Sequence, residues 1–340
     1  MSLGRRLIST GEAEEVQLFK TVLYTGNGGT KSVTGVGFQP DFVWIKPRSV
    51  ADNHNIFDSI RGDRKQLIPN GTSAESTQPN TLTSFDSDGF TTGSDNNTNT
   101  SGATYVAWCL KAGNSTSTNT VGDIESTVSV NSNGGFSIVS YTGDADQSHT
   151  IGHGLSSTPE LIIVKNRTAT NSPNWAVWHK DFAGTTNNLF LNLNVNKSYA
   201  TGRFGTVNST TFKGGATGGN NEVNGANPMI AYCFHSVSGV SKIGSYTGDG
   251  STSGKIITTG FEPSFLLTKP INPSGGYWYI LDNSRSTTNP RNDALFPNDI
   301  LAEISSTNYN VDFLSTGFEL KNNTIGYNTN NEDYIYVAFA

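Results

Sequence analysis

Two short stretches of this 340-residue chain place an acid three residues before an arginine: Asp58 before Arg61 in "FDSIR", and Asp282 before Arg285 in "LDNSR". A second acid follows each pair, Glu75 and Glu303. Glycoside hydrolysis works through two carboxylates that face one cleft. Here one set of acids recurs in each of two distant stretches, which gives two sites rather than one dyad. Asp and Arg at this spacing read as a local ion pair fixing a loop, of a kind common at surfaces and rarely catalytic. No GxSxG elbow is present, and no serine stands in a motif with an evident histidine partner. No catalytic constellation assembles from these residues, so the chain reads as non-enzymatic.

The other groups that could do chemistry are sparse. Of five histidines, only His149 and His153 lie close together, and no third ligand joins them at recognisable spacing, so neither a metal nor a cofactor is expected. Asp86 and Asp88 in "DSDG", and Asp144 and Asp146 in "GDADQ", resemble calcium-loop chemistry, but turn chemistry explains them better. Cys109 and Cys233 are too few for a disulfide framework and read as small buried hydrophobes. Sugar binding needs no motif, because aromatic faces stack on sugar rings. Trp175, Tyr277 and Trp278 lie beside Asn- and Gly-rich loops and are the candidate platforms, with core packing as the alternative for each.

The elements that must position these groups recur. "YTGN" begins at Tyr24, and "YTGD" begins at Tyr141 and again at Tyr246. Each is followed by a run from proline to lysine: "PDFVWIK" from Pro40 to Lys46, "PELIIVK" from Pro159 to Lys165, "PSFLLTK" from Pro263 to Lys269. "LIPN" (67–70), "LFLN" (189–192) and "LFPN" (295–298) follow, and each copy closes on one strand: "YVAWC" (105–109), "MIAYC" (229–233), "YVAFA" (336–340). Self-similarity at this spacing marks a repeat architecture.

Helical periodicity is nearly absent, and short β-rich runs alternate with Gly, Asn, Asp and Ser clusters, the pattern of sandwiches and jelly rolls. The fold expected is all-β: three tandem β-sandwich repeats of the jelly-roll or lectin-like kind, at 17–113, 135–239 and 240–340, with a linker at 114–134 in which 126–130 could add an edge strand. In the second repeat, strands are expected near 136–141, 148–152, 160–166, 175–180, 188–193, 209–213 and 229–235.

In "PDFVWIK", Phe42 and Trp44 share a face with Lys46, and Val43 and Ile45 fill the other, so the strand is covered on both sides. The lysine is expected where the chain emerges to water, its charge discouraging edge pairing. Thr268 stands where Ile45 does, which predicts a shallower second face in the third repeat. In the closing strands, Ala107 with Cys109, Ala231 with Cys233 and Ala338 with Ala340 keep one face small.

Hydrophobic residues make up 34% of the chain, which favours several small cores over one large one. The net charge of −6 and the lack of a basic block disfavour nucleic acid as a partner, and no apolar run reaches the ~20 residues of a membrane helix. The N-terminus has two arginines but no apolar stretch of the secretory kind.

The motifs "YTGNG", "GFQPDFVWIKPRS", "FDSIRG", "LTSFDSDGF" and "YVAWCLKAG" resemble a repeat family of unassigned biochemistry found in virion structural proteins of tailed bacteriophages, notably marine ones. "SKIGSYTGDGS" and "WYILDNSR" resemble the partner repeat at the end of such proteins. The middle copy lacks the Asp-x-x-Arg pair and the proline of "LIPN", so a site built on those groups should be missing there.

The opening "MSLGRRLIST" resembles the short leader of other phage structural proteins, including some with laminin-G-like domains. The resemblance implies a virion protein, made in the host cytoplasm, whose residues 1–16 dock on capsid or tail proteins. Arg5 and Arg6 would pair with carboxylates, and Leu3, Leu7 and Ile8 would enter a pocket or sheet edge. It further implies a fibre, knob or decoration for host-surface attachment, to a glycan or a protein, and homo-oligomers, trimers being common among such appendages. A free carbohydrate-binding module or glycan-active enzyme is the alternative.

Overall fold

The computed structural model describes residues 18–168, 173–182, 187–197, 202–215, 222–252, 254–272 and 276–340. The proposed docking residues Leu3, Arg5, Arg6, Leu7 and Ile8 lie outside the described residues. The fold is all-β. The first stretch contains β1 (Phe19–Thr25), β2 (Lys31–Thr34), β3 (Phe42–Pro47), β4 (Asn55–Asp58), β5 (Lys65–Gln66), β6 (Ser76–Thr77), β7 (Leu82–Asp86), β8 (Gly89–Thr92) and β9 (Thr104–Leu110).

Next come β10 (Ser117–Asn119), β11 (Ser126–Asn131), β12 (Phe136–Thr142), β13 (Thr150–Gly152), β14 (Leu161–Asn166), β15 (Trp175–His179), β16 (Leu189–Phe190), β17 (Phe204–Val207), β18 (Thr211–Gly214) and β19 (Pro228–Phe234). The last stretch holds β20 (Ser241–Thr247), β21 (Lys255–Thr258), β22 (Phe265–Pro270), β23 (Tyr279–Asp282), β24 (Asp293–Ala294), β25 (Ile304–Ser305), β26 (Val311–Leu314), β27 (Gly317–Leu320) and β28 (Asp333–Phe339). The strands expected in the second stretch are all present; β10 and β17 were not foreseen.

One antiparallel connection pattern occurs in each stretch: β1-β9-β3-β4, β12-β19-β14-β15 and β20-β28-β22-β23. Each such sheet packs one face on a three-stranded sheet, β2-β8-β7, β13-β18-β17 or β21-β27-β26, so each stretch forms a sandwich with its own core. Residues 114–134 are not a free linker. They supply β11 and β10, which extend the middle sheet beyond β12.

The conserved-looking "YTG" spacing within the chain has a local cause. The Tyr24, Tyr141 and Tyr246 hydroxyls donate to the carbonyls of Thr98, Val223 and Tyr327. At the glycine, a second backbone segment passes so close that a Cβ at Gly26 would lie 2.1 Å from the Thr100 carbonyl oxygen, and one at Gly143 2.0 Å from that of Gly225.

The other faces of the three main sheets converge on one shared core. It contains Trp44 and Trp108, Ile163 and Tyr232, and Leu267 and Val337, two from each stretch. Phe42 meets Tyr232 at 4.9 Å, Trp108 meets Phe265 at 6.0 Å and Phe234 meets Phe339 at 6.3 Å between ring centroids, so every stretch touches both others. Full burial of each large side chain stabilises by roughly 1.5–3 kcal/mol. The expected small cores are therefore present, but a larger common core joins them. Strands β3, β14 and β22 are buried along their whole length, with Val43 and Ile45 in the first sandwich core and Phe42 and Trp44 in the shared one.

The third closing strand is offset by two residues from its expected match. Lys46 pairs with Val106, Lys165 with Ile230 and Lys269 with Ile335, so Tyr336 occupies the place of Ala107 and Ala231. The small face is not kept there. Volume is exchanged instead: Ala107 lies between Val22 and Ile45, whereas Tyr336 lies between Gly244 and Thr268. A Cβ on Gly244 would come within 2.8 Å of the Tyr336 hydroxyl oxygen. Tyr336 also covers Thr268, which is fully buried, contrary to the shallower face expected. Cys109 and Cys233 are buried, and Ala338 holds the corresponding place. Burial pushes both thiols far up.

Candidate functional site

The repeated acids and arginines meet at the junctions between sandwiches, inside the molecule. Asp58 ends β4 opposite Phe42, and the turn after it brings Arg61 back over the strand. Arg61 Nε donates to Asp58 Oδ2 at 2.5 Å, Nη1 to the Lys65 carbonyl and Glu75 Oε2 at 2.7 and 3.1 Å, and Nη2 to the Ile56 carbonyl at 3.1 Å. The Asp58 and Arg61 side chains have no exposed surface. The ion pair was expected; its depth was not.

The second stretch completes the site. The Tyr232 hydroxyl donates to Asp58 Oδ2 at 2.8 Å, and Arg167 grips Glu75 through Nε and Nη2 at 2.8 and 2.9 Å. The last stretch and the first form the same arrangement. Arg285 binds Asp282 and Glu303, Arg48 grips Glu303 at 2.9 and 2.7 Å, and Trp108 Nε1 donates to Asp282 Oδ2 at 3.0 Å.

Electrostatics favour the charged forms of Arg61, Arg285 and Glu75. Burial opposes the Arg61 charge, but Asp58, Tyr232 and Glu75 outweigh it and raise its pKa. Burial likewise opposes Arg285, which Asp282 and Glu303 carry upward. Glu75 is raised by burial and lowered more strongly by Arg167 and Arg61, ending below the usual carboxylate range. A carboxylate so held accepts hydrogen bonds from both arginines.

The third junction has the same frame without the charges. His179 stands opposite Leu161, where Asp58 and Asp282 stand opposite Phe42 and Phe265, and Phe182 follows it at the arginine spacing. Val337 is the counterpart of Trp108 and Tyr232. The ionic site is thus absent from the middle stretch, as its sequence implied. Burial pushes His179 down to about 4, which keeps it neutral.

Lys46 and Lys165 are junction groups too, and the expectation that the recurring lysines reach water is wrong. Lys46, Lys165 and Lys269 have no exposed surface and lie on interior strands. Lys46 Nζ donates to the Pro47 and Ile300 carbonyls at 3.0 and 3.3 Å, and Lys165 to those of Pro173 and Thr72 at 2.6 and 3.3 Å. Lys269 donates to the Gly276 carbonyl. Burial pushes Lys46 down to about 8 against Asp52, Asp299 and Glu303, Lys165 to about 8 against Glu222, and Lys269 to about 7 against Glu332.

Two of the candidate sugar platforms are also interior. Trp175 and Trp278 are buried, and their indole N–H groups cross junctions to the carbonyls of Ile68 and Phe190, each at 3.0 Å. They cannot stack on a sugar. Their counterpart in the first stretch is the buried His54, whose Nδ1 accepts from Trp44 Nε1 at 2.9 Å and whose pKa burial pushes well down. Tyr277 is half-buried against Phe296 and Tyr279. Backbone bonds close each junction: Glu75 N–H to the Arg167 carbonyl at 3.0 Å, Lys197 N–H to Ile271 at 3.1 Å and Glu303 N–H to Arg48 at 2.9 Å.

Arg48, Arg167 and the buried Asn99, Asn224 and Asn328 were missed from sequence. The asparagines bond the backbone of Asn27, Asp144 and Asp249 after each "YTG". Arg48 and Arg167 each lie two residues beyond the recurring lysine, a spacing that could have been noticed.

The acidic loops act as turns: Asp88 accepts from Gly35 and Gly37 N–H, and Asp86 from the Ser84 and Thr91 hydroxyls. His149 bonds Asp144 at 2.5 Å on the surface. Among the described residues, no group of three or more His, Cys, Asp or Glu is placed to hold a metal ion, and no helix is long and apolar enough to cross a membrane.

Residues 14–340 match the family described as a domain of unknown function, DUF7483, and the chain belongs to that family. No curated protein and no solved structure matches it.

Proposed function

We propose that the chain is a structural protein of a bacteriophage particle. It docks through its N-terminal segment on the capsid or tail and presents its β-sandwiches as a fibre, knob or decoration for attachment to a host surface. The observation that carries this reading is the fate of the signature residues. The Asp-x-x-Arg pairs, two of the three recurring lysines and two of the three candidate tryptophan and tyrosine platforms lie at junctions that tie each sandwich to the other two. A repeat whose distinctive residues hold neighbours together fits a building element, and the virion-protein resemblance of its motifs points the same way.

Deleting residues 1–12 and measuring association with particles, by mass spectrometry of purified virions, tests the docking role. The sandwiches should stay folded and association should be lost; retained association refutes the docking role. Particles that lack the chain altogether would refute the virion reading. Screening the purified chain on glycan arrays and polysaccharides addresses the alternative: product release would favour an enzyme, and binding without particle association a free sugar-binding module.

A further inference from the structure

The loop after the second "YTG" carries charges that its counterparts lack. In each stretch an asparagine clamps this loop: the side chains of Asn99, Asn224 and Asn328 bond those of Asn27, Asp144 and Asp249. Two residues on, the carbonyls of Gly29, Asp146 and Ser251 accept from the same amides. The frame is therefore complete without further ionic groups. Only the middle copy adds a second acid and a histidine, Asp146 and His149.

His149 Nδ1 lies 2.5 Å from Asp144 Oδ2, and its Nε2 lies 3.7 Å from Asp146 Oδ2. Asp123 approaches from the segment that leads into β11, where its Oδ2 accepts from the Thr150 N–H and hydroxyl at 2.9 and 2.7 Å. The N–H groups of Asp123 and Ile124 in return meet the Thr150 hydroxyl and carbonyl at 3.2 and 3.0 Å. Three carboxylates from two separate segments thus act on one imidazole. Of the other charged groups nearby, Lys213 on β18 stands opposite Thr150, and Glu222, close to Asn224, is paired with Arg203. Between the two acids of the loop, Ala145 is held at a φ of 65°. Gly28 and Gly250, both at 69°, occupy its place in the other two loops, so the middle loop alone keeps a Cβ in a left-handed conformation, at a cost.

The bond with Asp144 raises the His149 pKa above its ordinary 6.5; Asp146 and Asp123 add to this, and desolvation opposes it. Thr150 holds Asp123, and Ser148 holds Asp146, below the usual carboxylate range. At Asp144 desolvation acts upward and is outweighed by the bonds from His149, the Asp146 N–H and Asn224. The acids are therefore ionised throughout the range in which His149 titrates. A base whose folded pKa is raised keeps its contacts below the unfolded value and loses them as pH rises through the folded one. These side chains are exposed, so water screens them and the effect is confined to the loop.

We propose that protonated His149 is a pH-operated latch: it holds the 143–150 loop closed beside the segment at 120–125, and loss of its proton to solvent frees the loop. With the imidazole neutral, Nδ1 keeps one bond to Asp144, but Asp146 and Asp123 lose their counter-charge. The acids then repel one another, and Ala145 relaxes from its left-handed conformation. The latch is closed in mildly acidic medium and open in alkaline medium.

Carbon-detected NMR of the full chain, labelled at histidine, alanine and glycine and titrated at low ionic strength from about pH 5 to about pH 9, tests this. The His149 ring should titrate with a midpoint above 6.5. The Ala145 Cα and Cβ shifts should leave their left-handed values with the same midpoint, while Gly28 and Gly250 stay unchanged. Asp144→Asn keeps the frame, because Asn27 fills the same place in the first stretch, and should lower the proton affinity of His149 by about threefold or more. His149→Gln should leave the Ala145 shifts independent of pH over this range. A His149 midpoint at or below 6.5, or one that D144N does not move, overturns the proposal. So do Ala145 shifts that ignore the His149 titration, or that still titrate in H149Q.

Discussion

Asp58→Asn isolates the charge at the first junction while keeping side-chain size. Arg61 and Asp58 have no exposed surface, so solvent does not screen their interaction, and the substitution leaves a buried guanidinium short of one counter-charge. Removing one partner of a buried pair costs ~3–5 kcal/mol. Glu75 remains 3.1 Å from Arg61 Nη1 and retains part of the compensation, which puts the expected loss at about 3 kcal/mol. The double variant D58H/R61F copies the His179 and Phe182 of the middle stretch and removes both charges together. It should recover at least half of that loss, because replacing a whole buried pair is far milder than orphaning one member. Urea unfolding followed by tryptophan fluorescence measures both. A loss below ~1 kcal/mol for D58N, or a double variant less stable than the single, would refute the junction as the pair's site of action.

The lysines make stability depend on pH with a definite sign. Their folded pKa values, about 8 for Lys46 and Lys165 and about 7 for Lys269, lie below the unfolded value of 10.5, so the unfolded chain binds more protons between these limits and stability rises with pH. Above pH 9 the thiols and tyrosines, raised by burial, act oppositely, so the urea midpoint should climb from pH 7 to about 9 and then turn down, with on the order of 1 kcal/mol from each lysine. Lys46→Met should flatten the rise; a midpoint that falls between pH 7 and 9 contradicts the assignment. Cys109→Ala should cost no more than ~1–2 kcal/mol, because Ala338 already serves in the matching place; failure to fold would mean that the place is not equivalent. Phe19 stacks on Phe339 at 4.8 Å, so a circular permutant joining Ala340 to Leu18 through a short linker and opening at Ser115 should keep its far-ultraviolet circular dichroism; loss of the β signal would deny that the first and last sandwiches close on each other.

The strands, their faces and the sandwich pairing were legible because each rests on local pattern: proline at the start, lysine at the end, and apolar residues at period two between them. The offset of the third closing strand was not. A slip of two residues leaves every side chain on its own face, so "YVA" in 105–107 and 336–338 fits either register by pattern alone. What decides it is volume across three strands, where Gly244 makes room for Tyr336. The buried lysines were misread for a related reason. A lysine after an apolar run ordinarily snorkels to water. Lys46 and Lys165 each give one bond to a nearby carbonyl, of Pro47 or Pro173, and one to a carbonyl on another sandwich, of Ile300 or Thr72, which no local signal announces. Trp175 and Trp278 likewise satisfy their indole N–H groups on the carbonyls of Ile68 and Phe190, far away in sequence, so the same residues that suit a sugar platform suit a dry junction.

The unequal junctions carry an argument about assembly within the chain. Three sandwiches of like topology must close in one arrangement, and their contact residues are mutually selective. Trp108 and Tyr232 each bring a donor that needs an acceptor, and they meet Asp282 and Asp58; Val337, their counterpart, brings none, and in the middle stretch the place of those acids is held by the neutral His179. Exchanging neighbours would set Val337 against a buried acid–arginine pair, or set an indole or phenol against a site without a carboxylate. Each mismatch leaves a buried polar group unsatisfied, at about 1–3 kcal/mol or more where it is charged. We infer that the ionic junctions select the order of closure as well as stabilise it. The D58H/R61F variant separates the two effects: by making the first junction resemble the apolar one it should lower the yield of correctly refolded monomer even where stability is recovered. An undiminished yield would leave the charges with a stabilising role alone.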